Sequence, residues 1–123
     1  MPTKPLKPVE WIASSLKDLR GFPQDVRDTF GFALYLAQSG SKHAAAKPLK
    51  GFAGAGVLEV VEDFDGDAFR AVYTVRFASA VYVLHAFQKK SKAGIKTPKA
   101  DIDLVRQRLK LAEERHKQKG GGS

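Results

Sequence analysis

The sequence predicts an α+β fold, with an N-terminal strand and a helical hairpin packed on a small, mainly antiparallel sheet and a C-terminal helix closing the chain. Three observations predict it. Three Val- and aromatic-rich runs follow one another between residues 56 and 87, and apolar residues at helical spacing precede and follow them. With 123 residues and 43% hydrophobic content, the chain can bury one core. Residues 1–119 are read as a single domain and "GGGS", 120–123, as a linker or expression remnant.

In "KPVEWIA", Val9, Trp11 and Ala13 alternate along a first strand, with Trp11 as a packing anchor. Ser14 or Ser15 can cap a short helical turn, "SLKDLRGF". A longer helix opens at Pro23, carries Asp25 and Asp28 at its positive end, places Val26, Phe30, Ala33, Leu34 and Ala37 on one stripe, and stops at Gly40. Residues 40–56, "GSKHAAAKPLKGFAGAG", read as an irregular loop. "GVLEVVEDF" and "FRAVYTVRF" are strands joined by "DGD", a hairpin signal. Alternation places Phe69, Ala71, Tyr73, Val75 and Phe77 on a buried face and leaves Arg70, Val72, Thr74 and Arg76 on a partly open, cationic one. "AVYVLHAF" is apolar on both sides and reads as a central strand. Thr97 caps the last helix, Pro98 suits its first turn, and Ile102, Val105, Leu109 and Ala112 form its seam. Arg106, Arg108, Lys110, Arg115 and Lys117 supply the basic remainder.

The charge is unevenly placed. Of a net +8, residues 1–87 carry ten Lys/Arg against nine Asp/Glu, whereas residues 88–119 carry eleven against four. A polyanionic partner is implied, either nucleic acid, an anionic membrane or an acidic protein. No apolar run resembles a signal core or spans a bilayer, so a cytoplasmic protein without membrane contact is expected. The absence of cysteine excludes disulfides, thiolate nucleophiles and cysteine-based zinc sites.

Enzymatic motifs are excluded in turn. No Walker loop, HExxH helix or GxSxG elbow is present, and "GFAGAG" precedes a strand instead of linking a strand to a helix. His43, His85 and His116 lack ligand spacing, and Asp63, Asp65 and Asp67 read as turn residues, so neither a metal nor a cofactor is expected. Chemistry done by cations remains. Cleaving RNA without a metal needs a base at the 2′-hydroxyl, positive charge on the phosphorane and an acid for the leaving oxygen. Arg70, Lys89, Lys90 and Lys96 suit that task, and clustered ammonium groups lower one another's pKa. His85 and Glu59 each carry two readings. His85 is a proton shuttle or a strand-end core histidine, and Glu59 a base or a salt-bridge partner of Arg70 or Arg76.

"LKGFAGAGVLEVVED", "AFRAVYTV", "VYVLHAFQKKSKAGIKTP" and "KADIDLVRQRLKL" together resemble the RelE/ParE superfamily of bacterial toxins, in its HigB-type, phage-associated branch. The resemblance covers about Pro48 to Leu111 and implies a RelE-like fold. It also implies a type II toxin that enters the ribosomal decoding site, cleaves mRNA there and is silenced by a helix-turn-helix, Xre-like antitoxin. Carried over by motif, Arg70 contacts the scissile phosphate, and Lys89 and Lys90 form the basic pair, with Lys90 stabilising developing charge. Glu59, His85 and Lys96 stand as candidates for the general base. Lys47, Lys50, Arg76, Lys92, Lys99, Arg106 and Arg108 are expected to meet RNA or the ribosome electrostatically. Two other readings keep the fold or the charge without cleavage: a ParE-like inhibitor of DNA gyrase, and a basic domain that binds RNA or protein.

Overall fold

A computed structural model describes residues 5–89 and 96–119. Lys90 and Lys92 therefore lie outside the described residues. Strand β1 (Val9–Trp11) leads into helices α1 (Ser15–Arg20) and α2 (Gln24–Gln38). Strands β2 (Lys47–Pro48), β3 (Val57–Phe64), β4 (Asp67–Thr74) and β5 (Val81–Lys89) follow, and helix α3 (Lys99–Gln118) ends the described chain. The sheet order is β1-β5-β4-β3-β2, with β1 parallel to β5 and every other pair antiparallel. The expected α+β class, central third run and final helix are all present.

Each element follows from its sequence. The β3–β4 hairpin pairs from Val57 opposite Thr74 to Phe64 opposite Asp67, leaving Asp65 and Gly66 as a two-residue turn. Both turn residues have positive φ, which Asp tolerates and Gly favours, so "DG" closes the hairpin as the sequence predicts. Helix α2 buries Val26, Phe30, Ala33, Leu34 and Ala37, the stripe expected from their spacing. Its Ser39 and Gly40 amides return to carbonyls of the last turn.

Several expectations need correction. Ala13 lies beyond β1 at φ 52, so the first strand is shorter than the alternation suggested. The region 40–56 contains the short strand β2 on the edge of the sheet, where Lys47 faces Glu59 in register. Thr97 does not cap α3. Pro98 holds that position without a side-chain cap bond, because the Thr97 hydroxyl is used elsewhere. Phe77 does not share a face with Tyr73, since β4 ends at Thr74 and the chain crosses before Phe77, which packs with Tyr82 and His116.

The largest correction concerns the second face of the sheet. Two apolar clusters sandwich it: α1 and α2 cover Val60, Phe69, Ala71, Tyr73, Val81, Val83 and Ala86, and α3 covers Val57, Val72, Tyr82 and Leu84 with Val105, Leu109 and Ala112. The face carrying Arg70, Val72 and Thr74 is therefore buried under α3, not open. Burying each Val or Leu of α3 contributes about 1.5–3 kcal/mol, enough to outweigh solvating that face.

Strand β5 carries one irregularity with large effect. Val72 pairs with His85 while Tyr73 pairs with Val83, so Leu84 is an extra residue opposite no partner. Such a bulge reverses the alternation beyond it. Val81 and Val83 point to the α1/α2 cluster, yet so does Ala86, and His85, Phe87 and Lys89 are thereby turned to the α3 side.

Candidate functional site

At one end of the α3-covered face, β3, β4, β5 and the start of α3 converge on a polar seam. Glu59 comes from β3, Arg70 from β4, His85 and Lys89 from β5 beyond the bulge, Lys96 and Thr97 from the approach to α3, Asp101 from its first turn and Arg108 from its middle.

The first group is a closed triangle. The Arg70 guanidinium donates through one nitrogen to Glu59 Oε1 at 3.2 Å and to Thr97 Oγ1 at 3.2 Å, and the Thr97 hydroxyl donates to Glu59 Oε2 at 2.7 Å. Arg70 is 4% and Glu59 12% exposed, so the ion pair is largely desolvated and its hydrogen bonds are what make it tolerable. Of the two readings of Glu59, the salt-bridge partner of Arg70 is the arrangement found, with both carboxylate oxygens engaged.

The second group surrounds His85. Its Nε2 lies 2.7 Å from Asp101 Oδ1, its Nδ1 lies 3.4 Å from an Arg108 nitrogen, and its ring stacks on Phe87 at 4.6 Å. Burial lowers the His85 pKa, while the hydrogen bond and charge of Asp101 raise it and the Arg108 charge lowers it; the net direction is down. A neutral ring with its proton on Nε2 fits these partners, donating to the carboxylate and accepting from the guanidinium. Arg108 is 9% exposed and also donates to Leu84 O at 3.0 Å and Ser14 Oγ at 3.2 Å. Burial lowers its pKa too, though a guanidinium keeps its charge. Arg108 is thus an internal tie between α3, the bulge and the start of α1, and not the surface contact expected for it.

The remaining predicted cations are at or near the surface. Lys89 Nζ donates to the Lys96 carbonyl at 3.3 Å, which sets the Lys89 head against the main chain one residue from Thr97 of the triangle. Lys99 is exposed and pairs with Asp103. Lys47 and Lys50 are exposed on the β2 edge. Arg106 packs its guanidinium over the Phe52 ring at 4.6 Å. Arg76 lies outside β4, pairs with Glu113 and leans over Phe77, so it does not join Arg70 on a cationic face. Among the described residues there is no His/Cys/Asp/Glu group that could hold a metal ion, and no helix is long and apolar enough to cross a membrane.

Sequence reasoning missed Thr97 and Asp101 as site residues. A Thr before Pro at a helix start usually serves as its cap, and that local signal hides the bonds of Thr97 to the sheet. Asp101 stands sixteen residues from His85 with no local periodicity connecting them, and only the docking of α3 brings them together.

A family model described as phage-derived protein Gp49-like matches residues 17–110. The free toxin RelE of E. coli, in a double-mutant form, shares the fold with a TM-score of 0.55 at 18% identity, over 86% of this chain and 97% of that one. The toxin-antitoxin complex RelBE2 of Mycobacterium tuberculosis gives 0.44 at 17% identity, over 70% of this chain and 94% of its own. No curated protein sequence matches the chain.

Proposed function

Since the chain belongs to the phage-derived Gp49-like family, we propose that it is the toxin of a type II toxin-antitoxin system and acts as a ribosome-dependent, metal-independent mRNA endoribonuclease. The observation that carries this reading is the gathering of Arg70, Lys89 and Lys96 with His85 at one end of a sheet whose fold is that of RelE. Lys89, and Lys90 by its place in the same motif, stabilise charge on the phosphorane. Arg70 acts as a fixed positive charge behind them, because burial keeps it from the surface. Glu59 has both oxygens engaged and His85 both nitrogens, which favours Lys96, exposed and next to Lys89, for proton transfer. Lys47, Lys50, Lys92, Lys99, Arg76 and Arg106 supply the electrostatic attraction to RNA. A helix-turn-helix antitoxin is the proposed protein partner.

The burial of Arg70 is also the observation that favours a second reading, a non-cleaving inhibitor that binds DNA gyrase, because it withdraws one cation from direct phosphate contact. Translation of a defined message in a reconstituted system, with 5′ ends mapped by primer extension, separates the two. The expected result is cleavage at the decoding site that needs ribosomes and survives chelation, and that falls by about 10²-fold in Lys89→Ala or Lys90→Ala. Intact message, with gyrase supercoiling inhibited by the same preparation, would replace the first reading by the second. Arg70→Ala is a poor probe of catalysis, since it strands Glu59 in a buried site.

A further inference from the structure

We propose that Thr97 is a positioning residue for the Lys89 ammonium group, acting through the main chain; its catalytic consequence rests on the reading of Lys89 given above. The Thr97 hydroxyl has its one proton committed to Glu59 Oε2 and accepts from Arg70. Glu59 and Arg70 stand on adjacent strands in continuous register, so their positions are set by the hairpin. Thr97 is thus tied to the sheet from both sides, immediately before α3 begins. The residue before it, Lys96, presents its carbonyl to Lys89 Nζ at 3.3 Å.

A lysine head on a four-carbon stem samples many rotamers, and a fixed acceptor selects among them. That acceptor is a backbone carbonyl one residue from Thr97, so where it lies depends on where Thr97 is held. Strands β3, β4 and β5 meet the approach to α3 through this short path: Glu59 and Arg70 hold Thr97, Thr97 holds the Lys96 carbonyl, and the carbonyl directs the Lys89 ammonium. The bulge at Leu84 is the other half of the device, because it turns Lys89 to the face on which that carbonyl waits.

The test uses Thr97→Val, which keeps the branched shape without the hydroxyl, Thr97→Ser, which restores the hydroxyl, and Glu59→Gln, which keeps one of the two acceptor oxygens and turns the other into a donor. Reductive methylation at limiting reagent, followed by peptide mass spectrometry, reads Lys89 against Lys17 and Lys110 as internal references. Thr97→Val is expected to change Lys89 reactivity relative to the references by about threefold or more, as for one lost hydrogen bond, with Thr97→Ser near wild type and Glu59→Gln between. A merely structural role moves all lysines alike and leaves the ratio unchanged, which would overturn the proposal even if Thr97→Val proved poorly folded, because Glu59→Gln reports the same ratio. In the cleavage assay, Thr97→Val should lower kcat about tenfold with KM unchanged, and Thr97→Ser should recover it. Altered Lys89 reactivity with full cleavage by both Thr97→Val and Lys89→Ala would sustain the positioning of the ammonium and overturn instead the reading of Lys89 as part of the cleaving site.

Discussion

At His85 the competition between burial and charge decides the protonation state. Burial disfavours the imidazolium, Asp101 at 2.7 Å favours it, and burial wins, so the folded-state pKa lies below the ordinary value of about 6.5. The neutral ring's contribution is fully present above about pH 6.5, where the unfolded chain is also neutral, and is lost as pH falls and the unfolded ring binds the proton first. Urea denaturation between pH 7.5 and 5 should therefore show a steeper loss of stability in the wild type than in His85→Asn. Equal slopes would mean that the ring is not held neutral. Arg108 bears on the same balance by another route: its charge opposes a second positive charge on His85, and its bonds to Leu84 and Ser14 hold the ring's surroundings in place.

Among the elements, the helices and the hairpin were legible in the sequence because their signals are local. Val26, Phe30, Ala33, Leu34 and Ala37 repeat at the helical period, and Asp65-Gly66 stands between two β-rich runs. The bulge was not legible, since "VYVLHAF" is apolar on both sides and an extra residue leaves no break in such a pattern. The burial of Arg70 was hidden for a related reason. Its alternation with Val72 and Thr74 is compatible with an open face or with one covered by a helix carrying its own polar partners. Glu59, read as one of two alternatives, was legible as a partner of Arg70, whereas Thr97 and Asp101 became site residues only through α3. Where β3 begins, Gly56 has φ +63, and a Cβ there would lie 3.0 Å from the Arg76 amide nitrogen. Gly56→Ala is expected to destabilise the fold by more than about 1 kcal/mol in chemical denaturation, through strain and a backbone clash together.

Over the whole molecule, the basic excess divides into cations consumed by the fold and cations left toward solvent. Arg108 and Arg70 are interior, and Arg115 donates to the Trp11 carbonyl. Lys47, Lys50, Lys99 and Arg106 remain outward. On the proposed ribosomal reading, Arg106→Ala should weaken ribosome association and reduce its salt slope by up to about 1, whereas Arg108→Met should lower the denaturation midpoint and leave that slope unchanged. Filter binding across a salt series, paired with urea melts, checks both. Val9 meets Val81 on β5, and Glu10 and Trp11 are also bound by Lys119 and Arg115 at the far end of α3, so the first strand is tied both to the sheet and to the last helix. The β3–β4 hairpin is local in sequence and can form by itself, but Asp101, Thr97 and Arg108 reach the sheet only with α3. The site is therefore completed by the last element of the described chain, after every strand that carries its other half has been made.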